Sequence, residues 1–75
     1  MTTADAVRER ALTLARETTD RDEALRDLRA FSGDRRVSVV RARQQLVAWL
    51  DSETDQSDAM RAIELLDELL DRLPA

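Results

Sequence analysis

Apolar positions along the chain recur at intervals of three and four, the spacing of a helix that buries one side. The pattern is broadest between Ala59 and Leu73. On a helix, Ala59, Ala62, Ile63, Leu66, Leu69, Leu70 and Leu73 fall on one wide side, and Glu64, Asp67, Glu68, Asp71 and Arg72 on the other. Residues 3–18 carry a narrower, alanine-rich face of Val7, Ala11, Leu14, Ala15 and Thr18, with Leu12 off it. Thr2 or Thr3 can cap this helix, and Asp5 sits in its first turn. Residues 21–32 set Ala24, Leu25, Leu28 and Phe31 toward a core. Asp20 and Glu23 before and within this stretch have capping-box spacing, and Gly33 stands where a left-handed residue ends a helix.

The period continues through residues 35–51. Val39, Ala42, Leu46, Val47, Trp49 and Leu50 share a side, Arg43 lies inside that arc, and Asp34 is placed to cap the start. The run Val37–Val40 is β-branched, but no second strand exists to pair with it. An all-polar segment, residues 51–57, then leads to the last helix, with Asp55 or Ser57 as its cap and Pro74 as its stop. The expectation is one domain over residues 1–75, all-α, a small three- to four-helix bundle with short connections between neighbouring antiparallel helices.

Composition narrows the chemistry. The 75 residues include no cysteine and no histidine, which removes disulfides, thiolate sites, the commonest metal ligand and the usual general base. All 12 basic residues are arginine, so no lysine can form a Schiff base. No nucleophile–base pair, metal motif or glycine-rich phosphate loop appears, so neither an enzyme nor a cofactor is expected. Glu64, Asp67, Glu68 and Asp71 form an acid row that reads as a solvated face. With 43% apolar and 37% charged residues the chain suits a folded, acidic, water-exposed protein without a membrane. The N-terminal residues have no apolar signal core, so the expected place is the cytoplasm.

A domain this small buries only about 60% of its unfolded surface. The thin faces of the first two helices look too small to cover the last one. Ala59, Ala62, Leu66, Leu69 and Leu73 also keep an a/d spacing suited to pairing. These features predict a non-catalytic interaction or regulatory module that docks through an apolar helix face, its partner a second copy in a homodimer. The expected partner-binding residues are Trp49, Met60, Ile63, Leu66 and Leu70.

Charge supplies the alternative. The net charge is −4, yet residues 34–50 carry four Arg against one Asp, while residues 51–75 carry eight acids against two Arg. Arg35, Arg36, Arg41 and Arg43, with Arg26 and Arg29 before the turn at Gly33, outline a basic helix-turn-helix-like arrangement that could bind nucleic acid. Arg43, on an apolar face, is expected either to reach water or to meet a carboxylate such as Asp67. Within this region, Glu23, Ala24, Leu25, Leu28, Arg29 and Ser32 of the segment Asp22–Ser32 resemble the middle helix of ANTAR domains, small three-helix RNA-binding modules of bacterial regulators. That resemblance spans one helix. Arg10, Ala11 and Leu12 stand where the family has an Ala-Lys-Gly run, the asparagine that follows the serine is missing, and an acidic fourth helix is added.

Overall fold

A computed structural model describes residues 3–50 and 57–73 of the chain. The helical period resolves into α1 (Thr3–Glu17), α2 (Arg21–Ser32), α3 (Arg36–Leu50) and α4 (Ser57–Arg72). Asp20 caps α2 as its spacing predicts, its side chain accepting from the Glu23 backbone N–H at 3.2 Å. Gly33 ends α2 with φ 62°, its N–H donating to the Arg29 carbonyl at 3.1 Å.

Asp34 does not cap α3. Its own φ is 59°, a second left-handed residue in succession, and its carboxylate accepts from Arg29 Nε at 2.8 Å on the preceding helix. Arg35 instead provides the first carbonyl of α3, accepting from the Val39 N–H. The expected caps Thr2 and Asp55 and the stop at Pro74 lie outside the described residues, while Ser57 is the first helical residue of α4.

The helices do not pack in chain order. α1 and α4 are the central pair, and each touches all three other helices. α3 lies against both on one side and α2 against both on the other, so α2 and α3, although joined by a short turn, scarcely meet. The two left-handed residues at the turn redirect the chain away from a side-by-side pair. Neighbours in sequence are therefore not always neighbours in space here.

This arrangement explains the departures from the sequence-based faces. Leu12, expected off the core face, is buried because α1 has neighbours on several sides. Leu65 is buried for the same reason on α4. Phe31, expected in the core, lies near the outer end of α2 and is exposed. Val47 also sits outward.

The shortage of covering surface does not occur. Ala59, Ala62, Leu66, Leu69 and Leu73 are all buried within the single chain, so the a/d seam faces the core and is not free to pair with a copy. The Cα radius of gyration, 11.2 Å, equals the about 11 Å expected of a compact domain of this length.

Leu66 is fully buried, so Leu66→Ala is expected to destabilise by about 2–5 kcal/mol. A domain of this size has a total of roughly 4–11 kcal/mol, so urea unfolding should show a large loss of midpoint. Gly33→Ala meets no atom within 4 Å, so only its backbone conformation opposes it. Its expected cost is about 1–2 kcal/mol, read in the same titration.

Candidate functional site

Among the described residues, five large apolar side chains are exposed: Phe31, Val37, Val47, Trp49 and Met60. Three of them lie on α3, which is apolar on two sides. Val39, Ala42 and Leu46 face the core, while Val37 and Val47 are exposed and Val40, between them on the same side, is half-buried.

The register of α3 against α4 follows from two contacts. Arg36, at the start of α3, donates from Nη1 to the Leu70 carbonyl near the end of α4 at 3.1 Å. Arg43, two turns on, pairs through Nε with Asp67 of α4. The two helices therefore run antiparallel, with Val40 near the level of Leu70 and Val47 near that of Ile63. Ile63 and Leu70 are partly buried against the core. Together these residues floor a shallow apolar strip between the outer sides of α3 and α4. Val37, 66% exposed, and Met60, 54% exposed, stand beside it.

The residues expected to bind a partner divide. Met60, Ile63 and Leu70 belong to this strip. Leu66 is in the core and presents nothing at the surface. Trp49 turns to the other edge of α3, where it lines a hollow with Arg8, Glu9 and Gln45. Arg8 Nη1 donates to Gln45 Oε1 at 2.9 Å across that edge. Val37 and Val40 escaped the sequence-based selection, although their signal was present: a second apolar stripe on the side of α3 opposite its core stripe.

Arg43 behaves as expected, paired with Asp67 and part-exposed. The wider arginine cluster is divided by its partners. Arg29 is tied to Asp34 at 2.8 Å, Arg36 to the Leu70 carbonyl and Arg43 to Asp67. Arg26, Arg35 and Arg41 have no ion pair among the described residues. With α2 and α3 scarcely touching, the packed pair of a helix-turn-helix is not formed.

The acid row of α4 is shared between two helices. Glu64 lies 3.3 Å from Arg21 of α2, and Glu68 3.4 Å from it. The buried Glu68 Oε2 makes no hydrogen bond, its contact with Arg21 Nε at 3.4 Å being an ion pair alone. Asp67 points the other way, to Arg43. Among the described residues no group of three or more acids is placed to hold a metal ion. No described helix is long and apolar enough to cross a membrane.

Phe31, though exposed, is covered on one face by Arg10, whose guanidinium carbon lies 5.5 Å from the ring centroid. Arg10 is itself held by a two-pronged bond to Asp27, at 2.8 and 2.7 Å. Phe31 is thus part of an α1–α2 clasp, which sets it apart from the open valines of α3.

The chain matches no protein-family model, no curated protein and no solved structure.

The hydrogen bond from Arg10 holds the Asp27 carboxyl below the usual aspartate range, with partial burial acting in the opposite direction. A depressed folded-state value means the unfolded chain binds the proton first. The clasp therefore stabilises fully above the ordinary aspartate value of about 3.9 and loses its effect as pH falls through the lower folded value. Asp27→Asn is expected to be less stable than the parent at neutral pH, and the gap should narrow as pH falls below the ordinary aspartate value, in thermal unfolding followed by circular dichroism.

Proposed function

We propose that this protein is a non-catalytic helical module that works by docking a protein partner on the outer face of α3 and α4. The observation that supports it is the second apolar stripe of α3. Val37, Val40 and Val47 do not serve the core, which Val39, Ala42 and Leu46 of the same helix already fill. A helix exposed to water on one side ordinarily carries polar residues there. Exposed apolar side chains grouped on one face, here with the polar Gln44 among them, are characteristic of interaction sites.

The residues on this face suit recognition by packing. No side chain in the strip is a nucleophile with a neighbouring base, and the paired Arg43–Asp67 at its centre supplies orientation and charge. Burying about 400 Å² of apolar area there would contribute a gross value of roughly 10 kcal/mol before the costs of association. Nucleic-acid binding is the weaker reading, because three of the six clustered arginines are already engaged within the chain.

Val37→Asp and Met60→Asp change exposed positions, so each is expected to keep unfolding stability within about 0.5 kcal/mol of the parent. Immobilised parent chain should retain protein, its own free copies included, from an extract of its native cells. The double variant should lose that retention. Equal retention by parent and variant would place docking elsewhere and overturn the reading.

A further inference from the structure

We infer that the occupant of the α3–α4 face is a second copy of this chain, related by a two-fold axis running along the strip. The inference rests on the docking reading above and adds the partner and its geometry. Its basis is the way charge is divided across the strip. On the α3 side Arg36 and Arg43 reach across to the Leu70 carbonyl and Asp67 of α4, and Arg41 projects outward. On the α4 side Asp67 faces α3, paired with Arg43, and Asp71 projects outward one turn further on, while Glu64 turns away to Arg21 of α2. Arg41 and Asp71, both exposed, have no ion pair among the described residues, one on each bank.

A face with an open cation on one edge and an open carboxylate on the other, apolar side chains lying between them, is complementary to itself under one operation. Rotation by half a turn about the strip axis exchanges left and right but keeps each residue at its height. It lays α3 of one copy on α4 of the other, open cation toward open carboxylate. The alternative two-fold, perpendicular to the helices, lays α3 on α3 and sets arginine against arginine. Like charges brought together across an interface oppose association, so the first arrangement is selected.

Because height is preserved, the register within one chain sets the register between chains. Arg43 is level with Asp67 in its own chain, so Arg41 of one copy comes to the level of Asp67 and Asp71 of the other. By the same rule Val47 meets the level of Met60 and Ile63 in the opposite copy. Each contact occurs twice, as a closed isologous dimer requires.

The size of the face sets the strength. α3 has 15 residues and α4 has 16, so the two-helix face is about 22 Å long and about 20 Å wide, on the order of 450 Å² per copy. That lies below the roughly 800 Å² per partner of a standard interface, so the dimer should be reversible at micromolar concentration.

The test is light scattering on the full chain over a dilution series from about 500 µM to about 2 µM, a range that spans such an equilibrium. The parent should pass from dimer to monomer. Val47→Asp should weaken association about a hundredfold, as loss of a central apolar contact does. Arg41→Glu alone and Asp71→Arg alone should each weaken it about tenfold, since each creates two like-charge contacts. Mixing these two single variants should restore dimers, because both contacts between positions 41 and 71 across the copies are then of opposite sign.

A parent that is monomeric throughout overturns the second-copy inference. If retention of other proteins still depends on Val37 and Met60, the docking reading survives that result; if it does not, both fall. A dimer indifferent to Val47→Asp and to the charge exchange also overturns the inference, because the copies would then meet on another surface.

Discussion

Close approach of α1 and α4 is the constraint on which the architecture depends. Ala4, Ala11 and Ala15 share one line on α1, and Ala59 and Ala62 lie on the core side of α4, all buried. A methyl group is the most that any of these positions interposes. The Arg61 side chain of α4 donates from Nη1 to the Ala15 carbonyl of α1 at 3.3 Å and ties the two helices together. With this pair at the centre, leucines on either flank fill two wedges, one closed by α2 and one by α3. Leu25 and Leu28 serve the first; Val39 and Leu46 serve the second. A 75-residue chain can thereby enclose most of the broad apolar side of α4, with Ile63 and Leu70 only partly covered.

Ion pairs between helices act on orientation more than on total stability. Most involve side chains that keep substantial contact with water, where such pairs contribute little each. Their distribution is still informative. Arg10, Arg21 and Arg43 each join a different pair of helices to a carboxylate, linking α1 to α2, α2 to α4 and α3 to α4. The guanidinium fork fixes direction as well as distance, which a lysine ammonium would not. The Arg43 and Arg36 contacts orient α3 so that one of its apolar stripes enters the core and the other is left in solvent.

Much of this was legible in the residues. The helix ends at Asp20 and Gly33 follow from local chemistry, because a cap needs only its own side chain or its own freedom at φ. The Arg43–Asp67 pair was legible because a guanidinium on an apolar face needs an acid within reach. What could not be read was the number of neighbours each helix has. A face width estimated for one neighbour misplaces Leu12 and Leu65, which belong to helices packed on several sides, and Phe31, at the end of a peripheral one. The width of α4's apolar side looked like an excess needing a partner. It reflects a central position, and the surplus apolar surface lies on α3, where two stripes on one helix masked each other's periodicity. Asp34 failed as a cap because the backbone at that point is set by the turn, which holds it left-handed.

The peripheral attachment of α2 implies an uneven resistance to opening across the molecule. α2 is short, touches α3 scarcely at all, and is held to the central pair by a few leucines and water-exposed clasps. Local stability follows burial and contact density. Backbone amides of α2 should thus trade their protons for solvent deuterium well before those of α1 and α4. The least durable element of the fold thus lies on the side away from the valines of α3.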